Sequence, residues 1–302
     1  MGSQMAIPSI SLSETEKAWW DKTIQDFRKL YIKPPRHYID QSLSQKDFTA
    51  SVLAANIESL LIDEREKIYE LFLQDESVMN AKVVSHLIQN RPVPNSIFND
   101  LVDSQLLRVG IGNLKPDELK VRLAEVIGEY TGAIFPYLYS LSLSSTNSRR
   151  ARAGHTFEML IEKSLEIFEY PFQNQSSLGT EFFKSNRIGK KVDLIIPGRK
   201  AYEQRRTSCG IVSVKTSLRE RWQEVVEELN RSNVRHIYLA TLDDAITSNQ
   251  LELMKEYNIT LIVRKSEKIT KFADAGTVES FETFFNATVP HLLAGWPEYV
   301  ND

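Results

Sequence analysis

The chain contains one cysteine, Cys209, in 302 residues. It cannot close an internal disulfide, so a reducing, cytoplasmic setting is expected. No Cys/His spacing suits a zinc site. No apolar run approaches the roughly 18 residues needed to cross a bilayer, so no membrane-spanning helix is expected. The first residues lack the basic and apolar regions of a secretory signal, and none is expected. Glycine and proline are sparse, 12 and 11, and no repeat or low-complexity stretch interrupts the chain. Excess positive charge is also missing: the net charge is −3, which argues against a non-specific nucleic-acid binder. A specific one stays open, because Arg149, Arg150, Arg152, Lys190, Lys191, Arg199, Lys200, Arg205 and Arg206 all fall within 149–206. What is present, 42% apolar and 25% charged residues, is ordinary for a globular protein with one large domain or two modest ones.

Two regions differ in character. Residues 1–140 read as a helical region, with helices predicted over 14–30, 46–75, 78–89 and 96–108. Another begins at Pro116-Asp117-Glu118, where proline suits a first helical turn and the acids suit the positive end of the helix dipole. The Ser/Thr/Asn stretch from Ser142 to Ser148 reads as a loop. Residues 141–302 read as a second domain. Thr156 to Phe168 is helical, with Phe157, Leu160, Ile161 and Leu165 on one face. Strands are predicted over 190–196, 209–216, 236–241 and 259–263, and helices over 218–231 and 248–257. This order implies an α/β fold: a mixed sheet flanked by helices, preceded by a largely helical N-terminal region.

The chemistry concentrates where two apolar strands each carry one charge. Asp193 interrupts Val192-Asp193-Leu194-Ile195-Ile196, and Lys215 ends Gly210-Ile211-Val212-Ser213-Val214-Lys215. Strand alternation puts Ile211, Ser213 and Lys215 on one face. A charge in a core strand is rarely buried unless paired or metal-bound. An aspartate and a lysine on neighbouring strands suit metal-dependent phosphodiester cleavage, where Mg²⁺ takes one or two carboxylates plus water and phosphate oxygens. The position two residues before the lysine, a usual place for a second acid, holds Ser213. Glu228, on the predicted helix after Lys215, is a candidate replacement. Glu158, on the helix before the strands, is a further candidate; the competing reading of it is a solvent-facing acid beside Glu162. Just beyond Lys215, Arg219-Glu220-Arg221 suits reading of G·C pairs, since arginine pairs with guanine O6/N7 and glutamate accepts from cytosine N4.

With these residues in place, the segment from about 150 to 230 resembles the type II restriction endonucleases of the CCGG family, which includes the CCNGG and CCWGG cutters and has the PD-(D/E)xK nuclease fold. Ser213-Val214-Lys215 with Glu228 resembles that family's Ser-x-Lys variant, Glu158 its glutamate on the preceding helix, and Arg219-Glu220-Arg221 its recognition element. The departure is Val192 where the motif has proline. The literal Pro116-Asp117 pair is a decoy, because it opens a helix with no strand around it. The resemblance implies Mg²⁺-dependent cutting of double-stranded DNA at a palindromic site, before the first C of the core, leaving 5′ overhangs. It implies catalytic Asp193, Lys215, Glu228 and Glu158, with the three acids at the metal, and a homodimer, a tetramer being the larger alternative. Asn147 matches loosely a polar minor-groove contact in the loop before the glutamate helix. Residues 1–140 would serve dimerisation or accessory DNA contacts. The competing readings are a repair or junction-resolving nuclease of the same fold and a catalytically idle DNA-binding protein.

Overall fold

The structure, a computed structural model, describes residues 11–44, 46–109, 114–186, 192–218, 226 and 236–299. It divides into two compact units, residues 1–34 with 70–150 and residues 35–69 with 151–302. The helices in chain order are α1 (Glu14–Tyr31), α2 (Pro35–Leu43), α3 (Ala50–Ala55), α4 (Arg65–Asn90), α5 (Pro92–Val109), α6 (Pro116–Ala133) and α7 (Phe135–Ile167).

In the first unit, α1 starts at Ser13, whose Oγ accepts from the Glu16 N–H, with Glu14 and Glu16 in the first turn and Arg28 and Lys29 in the last. Trp20 is fully buried against Tyr137: its Nε1 donates to the Tyr137 carbonyl at 2.9 Å, and the rings meet edge to face at 5.4 Å. Pro116 opens α6 and Asp117 is exposed, so this pair is a helix start as read.

Ser142–Ser148, predicted as a loop, lies inside the 33-residue α7. The physical reason is tertiary. Tyr137, Leu141 and Ser145 are buried at successive four-residue steps, so the inward stripe runs straight through the hydroxyl-rich stretch. Ser144 Oγ accepts from Arg28 at 3.0 Å, so a side chain takes up the hydroxyl's bonding capacity and the helix backbone is left intact. Likewise α4 continues through 75–78, where two helices were expected, while the expected helix 46–75 is divided into α3, the π-helical turn Ser59–Glu64 and the start of α4.

The second unit carries a six-stranded mixed sheet in sequential order: β1 (Gln173–Asn174), β2 (Leu194–Ile196), β3 (Gly210–Lys215), β4 (Ile237–Thr241), β5 (Ile259–Val263) and β6 (Val278–Ser280). β1, β2 and β3 pair antiparallel; β3 to β6 pair parallel. The mixed sheet with flanking helices is thus present, with the first predicted strand shortened to 194–196; of the predicted helix 218–231 all but residues 218 and 226 lie outside the described residues. Further helices of this unit include α8 (Gln175–Ser185), α9 (Arg199–Arg205), α10 (Ser248–Glu256) and α11 (Lys265–Thr270). Alternate positions such as Ile195, Ile211, Leu239 and Leu261 join one core with Leu178 and Phe182 of α8. On the opposite parity, Tyr238 meets Phe284 at 5.5 Å, and Phe157 of α7 meets Phe281 at 6.1 Å. Phe157, Leu160, Ile161 and Leu165 are all buried, as their spacing predicts.

Candidate active site

Asp193 directly precedes β2, and its N–H donates to the Val212 carbonyl at 2.9 Å. With Leu194 opposite Val212, the same antiparallel register continued by one residue sets Asp193 opposite Ser213. Its carboxylate therefore meets the end of β3. Oδ2 accepts from the Val214 N–H at 2.6 Å, from Lys215 Nζ at 2.9 Å and from Ser213 Oγ at 3.4 Å. Oδ1 accepts from Gln175 Nε2 at 3.1 Å, and the same amide donates to the Val192 carbonyl at 3.0 Å. Lys215 Nζ also donates to the Val214 carbonyl at 2.9 Å. Both side chains of the pair are about nine-tenths buried, 10% and 12% exposed. Burial pushes the Asp193 carboxyl above its ordinary pKa; Lys215 pulls it down and Glu158 adds to the rise.

An open cleft of ≈ 660 Å³ lies over Asp193. Asp193 and Gln175 line it from the sheet side, and His155, Glu158 and Glu162, one face of α7, line it from the other. His155 Nδ1 lies 3.3 Å from Glu158 Oε2, and that contact raises the imidazole pKa. Burial raises the Glu162 pKa against a 3.0 Å hydrogen bond from Asn174 Nδ2. Asn174 in turn caps α8, accepting from the Ser177 N–H at 3.0 Å, and α8 begins with Gln175. The two walls of the cleft are thus joined through a pair of adjacent amide side chains.

The structure brings Asp193 and Glu158 to one cleft and pairs Lys215 with Asp193. Asn147 is exposed on α7, and a helix stands where a loop was expected for it. Glu228, Arg219, Glu220 and Arg221 lie outside the described residues. Glu162, which sequence reasoning did not single out, lines the cleft. Gln175 and Asn174 were missed, and so was Asp243, whose carboxylate receives the Leu218 N–H at 2.7 Å. No local pattern marks these three, because each works through a partner at least 12 residues away. Several of the clustered basic residues act within the protein: Arg149 pairs with buried Glu76, Arg199 with Glu203 at 2.8 Å, and Arg205 lies 4.4 Å from the Trp296 ring.

Asp193, Glu158 and Glu162 bring carboxylate oxygens to the cleft, the class of ligand that suits a hard divalent cation. Among the described residues no group of three or more His, Cys, Asp or Glu is arranged to hold a metal ion unaided. Among the described residues, no helix is long and apolar enough to cross a membrane.

A family model described as EcoRII C terminal matches residues 122–284. The chain is 37% identical over 165 residues to the type II restriction enzyme SsoII of Shigella sonnei; the match covers 55% of this chain and 54% of that protein. It thus spans about half the length of this curated relative. Two solved structures of metal-depleted Ecl18kI are similar. The complex with uncleaved, modified DNA gives a TM-score of 0.75 at 26% identity, covering 95% of this chain and 86% of that one. The complex with uncleaved DNA gives 0.72 at 26% identity, covering 94% and 86%.

Proposed function

We propose, from the premise that this chain belongs to the EcoRII C-terminal family, that it is a type II restriction endonuclease. It hydrolyses double-stranded DNA with Mg²⁺ at a palindromic site with a CCGG or CCNGG-like core. It cuts before the first C, leaves 5′ overhangs, and acts in the cytoplasm as a homodimer. One observation carries the reading: Lys215 and Asp193, nearly buried, meet at 2.9 Å at adjacent strand ends inside the family-matched segment, and Asp193 lines an acid-lined cleft. The kinship with SsoII supports the activity, and the Ecl18kI structures, both complexes with DNA, support the substrate.

Asp193 and Glu158 would hold the cation, with Glu228 as the third acid. A divalent cation bound there supplies an activated water and neutralises charge on the phosphate. The protein's own groups do the rest. The Lys215 ammonium, fixed by Asp193 Oδ2 and the Val214 carbonyl, stabilises negative charge developing on the scissile phosphate. The Val214 N–H and the Gln175 amide orient the Asp193 carboxylate from opposite oxygens. Arg219, Glu220 and Arg221 read the G·C pairs, and Asn147 contacts the minor groove. Residues 1–140 supply dimerisation or accessory DNA contacts, and residues 141–302 form the catalytic domain.

The test is digestion of plasmid DNA with Mg²⁺, followed by mapping of the ends. Discrete bands with 5′ overhangs at one palindromic sequence are expected. Random degradation, or no cutting at any divalent-cation concentration, overturns the reading.

A further inference from the structure

β3 ends at Lys215, paired in parallel with Thr241 at the end of β4. Beyond this point the contact between the two chain segments passes to a side chain. Asp243 Oδ2 accepts from the Leu218 N–H at 2.7 Å and lies 3.4 Å from Ser217 Oγ. The loop that presents Asp243 is held at every step. Its N–H donates to Thr241 Oγ1 at 3.1 Å, and Oδ1 accepts from the Ala245 N–H at 3.0 Å. Arg264 donates to the Leu242 carbonyl at 3.0 Å and Lys271 to the Asp244 carbonyl at 2.7 Å. Thr241 is fully buried, and the Leu218 side chain is itself part of the core. The residue just before Arg219 is therefore fixed by both its side chain and its main chain.

We propose that Asp243 is a positioning residue for sequence reading: it fixes the course of the chain from Lys215 to Leu218, and so the point from which Arg219-Glu220-Arg221 departs. The inference rests on the reading of that cluster as the base-reading element. Bidentate pairing of arginine with guanine tolerates little displacement, and each good pair contributes discrimination against a wrong base. A carboxylate is suited to the task because it accepts two donors at once, the Ala245 N–H on one oxygen and the Leu218 N–H on the other. Hydrogen bonds to an ionised acceptor are also the stronger kind. The spacer is short, since Leu218 lies three residues beyond Lys215, so a shift at Leu218 is felt at both the reading element and the cleavage lysine.

The test compares full-length parent, Asp243→Ala and Asp243→Asn in competition gel shifts in Ca²⁺. Cognate duplex competes against a duplex with G·C pairs replaced by A·T. The ratio of affinities is read, not the affinity itself, because both duplexes compete for the same folded protein and partial unfolding leaves the ratio unchanged. Asp243→Ala should lower discrimination about tenfold or more, the scale of one lost base contact. Asp243→Asn, with one acceptor oxygen for two donors, should fall between parent and Asp243→Ala. Parental discrimination by folded Asp243→Ala overturns the inference; if Asp243→Ala fails to fold, parental discrimination by Asp243→Asn overturns it. Arg219→Ala and Arg221→Ala run in parallel separate the two levels. If both discriminate like the parent, the underlying reading fails, and the inference with it. If both lose discrimination and the Asp243 variants do not, the inference alone fails.

Discussion

Lys215 Nζ and Asp193 Oδ2 lie 2.9 Å apart on side chains only 12% and 10% exposed. A buried pair of this kind is a poor source of net stability, because desolvating two charges offsets most of their attraction. It persists here with four donors converging on the carboxylate, the Val214 N–H, Lys215 Nζ, Ser213 Oγ and Gln175 Nε2, which is the arrangement a reaction site needs and a core does not.

Lys215→Ala should therefore lower the single-turnover cleavage rate by about 10²–10³, the usual loss on removing one preorganised charge-stabilising donor. Asp193→Ala should abolish metal-dependent cleavage while cognate binding in Ca²⁺ remains measurable. Rapid-quench kinetics and gel shifts decide both. A Lys215→Ala rate matching the parent would make the lysine structural, and near-normal cutting by Asp193→Ala would remove the aspartate from the metal site.

The strands were legible because the sheet is buried on both faces: β2, β3, β4 and β5 are continuous apolar runs in which Asp193 and Lys215 stand out. The family resemblance was legible for the same reason. β1 and β6, two and three residues long, were not, since their pairing comes from β2 and β5 and not from their own composition. Ser142–Ser148 misled because local turn chemistry yielded to the buried stripe of Tyr137, Leu141 and Ser145. Glu162 was not singled out because helix spacing gives neighbours on α7 but not the amide of Asn174 across the cleft.

Gln175→Ala tests the support of Asp193. Losing the 3.1 Å donor to Oδ1 frees the carboxylate to turn. Outer partners of a metal ligand commonly account for about 10–100-fold in metal affinity or activity. The half-saturating Mg²⁺ concentration for cleavage should rise into that range, with metal-free DNA affinity unchanged. Superimposable Mg²⁺ titrations for variant and parent would leave Gln175 as a helix-start residue only.

Glu158→Ala should likewise shift the Mg²⁺ titration to higher concentration. Glu158 lines the cleft, and its charge reaches Asp193 strongly enough to raise that carboxyl's pKa. An unchanged titration would return Glu158 to the role of a partner for His155, 3.3 Å away.

Two histidines couple stability to pH with opposite signs. His236 precedes β4, its Nε2 2.8 Å from Thr260 Oγ1 and its ring 4.4 Å from that of Tyr238. Burial holds its pKa below the ordinary value. The folded chain thus favours the neutral ring, and the unfolded chain binds the extra proton first. The stability this contributes is present above the unfolded value, about 6.5, and is lost as pH falls below it toward the folded value. His155 runs the other way. Glu158 raises its pKa, so its contribution is full below about 6.5 and is lost as pH rises through the folded value. Urea unfolding of the parent and of His236→Gln at a series of pH values from about 8 to 5 separates the two. His236→Gln should lose less stability than the parent on acidification below about pH 6.5, and His155→Gln should flatten the opposite slope above it. Parallel stability curves for His236→Gln and the parent across that range would show that another group carries the acid loss.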